Sequence, residues 1–228
     1  MPHHISSIKL IYIHVPKTGG SFIEGNLKKL AITYNESRRM SSHYTINHYI
    51  DKIDEYIVFG VVRNPYNRIF SAYNMFVENK WHRFRNTYIK LNKPKNFENF
   101  IENLYFLFKN NNLPWQNCSG LKLDKVCSSS ADFSVHVIPQ YAYFIDHKNE
   151  IGIDKENILK YESLDTELYK FLNYNYKDNE KVNNFFQKNI ISKVNIKKTY
   201  DIHNLYPELI DMIHEIYERD FSTFNYDK

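Results

Sequence analysis

Lys17, Thr18, Gly19, Gly20 and Ser21 stand between an apolar run and a helical pattern, and together they have the chemistry of an anion cradle. The two glycines let the main chain come close to a ligand. The first N–H groups of a following helix have no internal partner and carry the positive end of its dipole. Lys17 adds a full charge, and Thr18 and Ser21 add hydroxyl donors. A turn that merely joined strand to helix would need the glycines but neither Lys17 nor Ser21. Phosphate or sulfate is the expected guest.

A second anion site is written in RNPYNRIFS, residues 63–71. Arg63 leaves the end of an apolar run, and Ser71 falls within the helix that follows. A guanidinium and a hydroxyl converging on one phosphate give directional, charge-assisted hydrogen bonds. Two such sites at neighbouring strand ends suit a nucleoside carrying phosphates at both ends. Residue order separates this pattern from other phosphate binders. A Walker A loop places its Lys after the last Gly, whereas Lys17 precedes Gly19 and Gly20. The chain also lacks a G-x-G-x-x-G fingerprint and a G-x-S-x-G elbow.

The elements that must hold these residues follow from hydrophobic pattern. Lys9–Val15 and Tyr56–Val62 are continuous β-branched and apolar runs, as buried parallel strands require. Each runs into a turn and then a helix. The first helix carries Phe22, Ile23, Leu27 and Leu30 on one face, with Lys28 and Lys29 opposite; the second is expected over Asn67–Asn79. Two strand–turn–helix units predict an α/β fold with a central parallel sheet flanked by helices, its ligands at the carboxyl ends of the strands. Further helices are expected over Phe97–Phe108, Glu162–Leu172, Val182–Ile191 and Leu205–Asp220, and a strand over Asn157–Tyr161. Phe133–Ile138 and Tyr141–Ile145 read as short extended segments, and Arg38–Asn47 as a loop or short helix. Asn110–Ser130 reads as a long loop holding both Cys118 and Cys127, which either pair or, in a reducing compartment, stay free thiols. Without paired His nearby they form no zinc site. The basic, aromatic stretch Trp81–Lys95 is a solvated linker or the rim of a groove for an anionic acceptor.

The totals agree with a single domain over residues 1–228. A net charge of +4 is too mild for nucleic acid but suits anionic ligands. The longest strongly apolar run falls far short of the roughly 20 residues a membrane span needs, and the N-terminus has no signal-peptide pattern. A soluble, intracellular chain is expected, with the Golgi lumen an option only for one that has lost an anchor.

The P-K-T-G-G-S turn and V-V-R-N-P-Y-N-R-I-F-S-A-Y, in that order, resemble the 5′-phosphosulfate loop and 3′-phosphate motif of PAPS-dependent sulfotransferases, the Golgi carbohydrate (heparan/chondroitin-type) group above all. Weaker echoes are S-H-Y-T at 42–45, K-Y-E at 160–162 and I-Y-E-R-D-F at 216–221. The resemblance implies a P-loop-like three-layer fold. It further implies metal-independent transfer of the sulfuryl group of 3′-phosphoadenosine 5′-phosphosulfate (PAPS) to an acceptor hydroxyl, on a carbohydrate by analogy. By carry-over, Lys17, Thr18, Gly19, Gly20 and Ser21 hold the 5′-phosphosulfate, with Lys17 also neutralising the leaving group, and Arg63 and Ser71 hold the 3′-phosphate. His43 is the expected general base, because its spacing to Arg63 matches related enzymes; His48 and Glu24 are the runners-up, and His14 reads as packed. Lys197 and Lys198 lie where relatives close over the nucleotide, although a solvated charge pair is the default reading of that polar stretch. His136 and Gln140 are acceptor contacts or structural supports, and Arg83 and Arg85 belong to the basic rim. Arg68 either supports the 3′-phosphate loop or faces solvent. Two other readings stay open: a nucleotide or small-molecule kinase, and a non-catalytic protein of this fold that binds glycan or nucleotide.

Overall fold

The computed structural model describes residues 4–36, 43–78, 91–128, 134–188, 202 and 205–228. Four strands, β1 (His4–Ile5), β2 (Leu10–Ile13), β3 (Ile57–Val62) and β4 (Ile158–Lys160), pair in chain order. β1 is antiparallel to β2, and β2, β3 and β4 run parallel to one another. The two-residue β1 was not anticipated; it folds back through Lys9, whose φ of 49° makes the reversal.

Side chains alternate across a strand, and the alternation here feeds two separate cores. Leu10 and Tyr12 of β2, with Phe59 and Val61 of β3, face one core. Helices α1 (Gly20–Thr33), α6 (Leu164–Asn175) and α7 (Glu180–Lys188) close that core with Ile23, Leu27, Leu168, Phe171 and Val182. Ile11, Ile13, Val58 and Val62 face the other. Helices α2 (Pro65–Tyr73), α3 (Phe97–Lys109) and α8 (Pro207–Phe224) complete it with Ile69, Phe100, Leu104, Ile213 and Phe221. Helices on both faces of a mostly parallel sheet make three layers, as the strand–turn–helix pattern requires.

Three expectations are corrected. The stretch 110–130 contains a helix, α4 (Gly120–Ser128), which buries Leu123, Asp124 and Cys127. One of its three buried positions is an acid, so the apolar pattern fades in the sequence. Cys118 and Cys127 are both free thiols. Within 133–138, Ser134–Val137 form a single helical turn, α5, rather than an extended segment. β-branched residues disfavour that turn locally, but tertiary hydrogen bonds hold it: Tyr143 donates to Val135 O and Tyr217 to Val137 O, each at 2.8 Å. Gln140–Tyr143 form a 3₁₀ turn where an extended segment was expected over 141–145. The segment 38–42 and residues 81–90 of the basic stretch lie outside the described residues.

Candidate active site

The turn between β2 and α1 is shaped by four consecutive carbonyls, each taken by a side chain. His14 O accepts from His43 Nδ1 at 3.2 Å, and Val15 O from Thr18 Oγ1 at 2.7 Å. Pro16 O accepts from Arg68 Nε at 3.0 Å, and Lys17 O from Arg63 Nη1 at 3.3 Å. Lys17 and Gly19 take positive φ, 72° and 89°. No side chain caps α1 at Gly19. Among the described residues, no acceptor takes the main-chain N–H of Thr18, Gly19, Gly20 or Ser21. The carbonyls are thus committed to the protein while four N–H groups stay available, and a concavity of that polarity binds anions.

The expected residues occupy this turn in different ways. Thr18 is fully buried with its hydroxyl on Val15 O, so its main-chain N–H is what it can offer a ligand. Ser21 is exposed on the first turn of α1. Lys17 is half-buried, with Nζ 3.6 Å from Met75 Sδ. Met75 belongs to the π-helical segment Asn74–Glu78 that follows α2. The same segment sets Phe76 edge-on to His136, with ring centroids 5.2 Å apart.

Behind the turn lies a histidine cluster. His14 and His43 rings are 4.4 Å apart, and His43 and His136 rings 5.8 Å. A carbonyl only accepts, so the bond to His14 O puts the His43 proton on Nδ1 and makes Nε2 the basic nitrogen. His14, read from sequence as packed, does stack on Tyr12, but its Nδ1 also meets Glu24 Oε1 at 2.9 Å. Burial pushes His14 down to about 4. His136 lies well below the usual imidazole range, through burial first and then through His43, Lys17, Arg68 and His14 around it. His48 instead stacks on Tyr44 and faces Asp124 at 3.6 Å. Asp124 also accepts from Thr45 N and Oγ1 at 2.7 and 3.0 Å, so α4 anchors the segment that carries His43.

The His14 ring explains Gly20. A Cβ at that position would sit 1.8 Å from His14 Nε2, with the ring held by Glu24 and Tyr12. Gly25, one turn further along α1, has nothing within 4 Å of its Cβ position. Gly20→Ala is therefore expected to cost about 1–3 kcal/mol by overpacking, and Gly25→Ala to add about 0.4–1 kcal/mol by restricting the unfolded chain. Thermal unfolding of the two variants should move in opposite directions; equal shifts would refute the fixed His14 ring.

At the end of β3, Arg63 is buried, and its guanidinium lies 4.3 Å over the Tyr161 ring. Among the described residues, its buried Nε has no hydrogen-bond partner, and neither has the buried Nη2 of Arg68. Asn64 caps α2, accepting from Tyr66 N at 3.0 Å and Asn67 N at 3.3 Å. Glu162 accepts from Asn64 N at 2.7 Å. Both amide atoms of Gln140 engage the Arg63 main chain. Ser71 is half-buried in α2, and its hydroxyl makes no hydrogen bond among the described residues. Tyr161 and Glu162 went unrecognised as site residues in the sequence, although the K-Y-E echo marked them. Arg83, Arg85, Lys197 and Lys198 lie outside the described residues.

The site therefore gathers a lysine, a set of open N–H groups, a histidine cluster and an arginine at the carboxyl ends of β2 and β3. The family model described as "Sulfotransferase family" matches residues 6–227. The chain belongs to the sulfotransferase family, whose activity is the transfer of a sulfuryl group. No curated protein and no solved structure matches it. Among the described residues, no helix is long and apolar enough to cross a membrane, and no three His, Cys, Asp or Glu are grouped to hold a metal ion.

Proposed function

We propose that the protein transfers the sulfuryl group of PAPS to the hydroxyl of an acceptor, a carbohydrate by the resemblance of its motifs, without a metal. One observation carries this reading: three of the four side chains that shape the β2–α1 turn come from the base candidate, His43, and from the second anion motif, Arg63 and Arg68. The same bonds that orient these three groups leave the N–H donors of the turn uncommitted, as a P-loop-like cradle requires.

The residues present fit the donor. Arg63 Nε is a buried cationic donor without an acceptor among the described residues, and an anion on this side of Tyr161 would satisfy it. Lys17 and the N–H groups of Thr18–Ser21 would hold the 5′-phosphosulfate, and Arg63 and Ser71 the 3′-phosphate. When bound, PAPS supplies the activated sulfuryl group. His43 takes the acceptor proton at Nε2, and its bond to His14 O fixes the ring for that task. His136, Arg83 and Arg85 are proposed to face the acceptor, and Lys197 and Lys198 the nucleotide. An intracellular, soluble setting and a single domain complete the reading.

The test is an acceptor screen with radiolabelled PAPS, run beside calorimetric binding of the product nucleotide 3′-phosphoadenosine 5′-phosphate. Label transfer by wild type and binding sharply weakened, though still measurable, on Arg63→Ala are expected. A wild-type protein that binds no nucleotide, or phosphorylates from Mg-ATP instead, defeats the reading.

A further inference from the structure

Arg63 lies one residue beyond the last pair of the sheet, Val62 with Lys160, so no strand partner reaches it. Gln140 takes that place. Arg63 N donates to Gln140 Oε1 at 2.8 Å, and Gln140 Nε2 donates to Arg63 O at 2.8 Å. A side-chain amide presents a donor and an acceptor in one plane, as a neighbouring strand would. Gln140 is itself fixed from α8: Asp220 Oδ2 accepts from Gln140 N and Asp220 Oδ1 from Tyr141 N, each at 2.8 Å. Gln140 and Asp220 are fully buried.

A buried carboxylate is costly unless charge-assisted hydrogen bonds offset its desolvation. Here two N–H groups and the charge of Arg68 act against burial, which on balance still pushes Asp220 up to about 6. An apolar pair could fill this space without that cost. Packing alone does not account for the chain Asp220–Gln140–Arg63; orientation of the Arg63 main chain does. Resting on the reading of Arg63 as a ligand of the donor nucleotide, we propose that Gln140 and Asp220 are positioning residues for the 3′-phosphate site. They pin both main-chain polar groups of Arg63 so that its guanidinium leaves the sheet over Tyr161 and against Lys17 O. Gln140 on this account does not contact the acceptor, because both of its amide atoms are engaged.

Gln140→Glu is the sharpest probe. When ionised, the new side chain sets an oxygen against Arg63 O; when protonated, it restores a donor there. Affinity for 3′-phosphoadenosine 5′-phosphate, taken as a ratio to wild type at each pH, is expected to fall at least tenfold at pH 9 and to recover as the pH drops to 6. The ratio removes the titration of the histidines, which both proteins share, whereas Asp220, on which the Gln140 side chain acts, is probed by its own substitution. Asp220→Asn, which turns an amide N–H₂ against a main-chain N–H, is expected to weaken binding about tenfold across the range. In an Arg63→Ala background neither substitution should weaken binding further. Unchanged affinity in both variants, or equal losses with and without Arg63, would overturn the positioning role while leaving the functional reading standing. Absence of nucleotide binding by wild type would take both down.

Discussion

Lys17→Ala is expected to lower sulfuryl transfer by about 10²–10³-fold, the effect of removing one preorganised donor from a developing negative charge. Lys17 holds the only side-chain charge in the Lys17–Ser21 turn. Its φ of 72° is unusual for a residue other than glycine, and the bond from Arg63 to its carbonyl stabilises it. The substitution leaves that bond and the φ requirement in place, so the fold should be retained. Nucleotide binding should fall less than turnover, because the N–H groups of Thr18–Ser21 and the Arg63 site remain. Radiolabel transfer and calorimetry on the same preparation separate the two. Turnover within threefold of wild type would remove Lys17 from the leaving group and favour a binding protein that has no use for it.

What the sequence shows of this site, and what it hides, follows the range of each interaction. Strands β2 and β3 and the helices after them were legible because their patterns are local: Ile11 and Ile13 alternate with Leu10 and Tyr12, and Ile23, Leu27 and Leu30 recur at helical spacing. The order Lys before Gly-Gly was equally local, and it removed the Walker A reading without any coordinates. The use made of the motif residues leaves no such pattern. The Thr18 hydroxyl, read as a ligand donor, closes the turn on Val15 O, a bond that no spacing rule distinguishes from a phosphate contact, and leaves the Thr18 main-chain N–H open. Arg68, left open between loop support and solvent, is buried on Pro16 O because α2 packs against the turn.

Other parts were hidden because their stabilisation is tertiary. The helix α4 buries an acid among its core positions, and that acid anchors the His43 segment through Thr45. The α5 turn is made of β-branched residues and a histidine, and its carbonyls are satisfied by tyrosines from other elements. Gln140 reads as an acceptor contact in a polar, aromatic stretch; only its two bonds to Arg63 reveal what it does. In each case a polar residue is committed to a main-chain group of another segment, and hydrophobic periodicity carries no trace of such commitments.

The histidines put the same distinction to its hardest test, since the chain has ten and one of them is expected to act as base. His43→Ala should lower transfer by about 10²–10⁴-fold, the usual contribution of a positioned general base. Its affinity for 3′-phosphoadenosine 5′-phosphate should stay close to wild type, because His43 meets the cradle through His14, by its bond to His14 O and by the ring beside it. His48→Ala should transfer nearly as well as wild type, since His48 is turned to Tyr44 and Asp124. The pH–rate profile separates His43 from its neighbours. A base must be unprotonated to act, so transfer falls as the pH drops through its own pKa. His14 is held down to about 4 by burial, and His136 is also well below the usual imidazole range, so neither supplies an acid limb near neutrality. An acid limb present in wild type and absent from His43→Ala, with partial recovery of transfer on adding imidazole, is the expected result. A limb that persists in the variant would pass the role to Glu24, whose carboxylate bonds to His14 one turn into α1. In that event the three rings would serve to seat the turn, and the acceptor would approach from the Glu24 side.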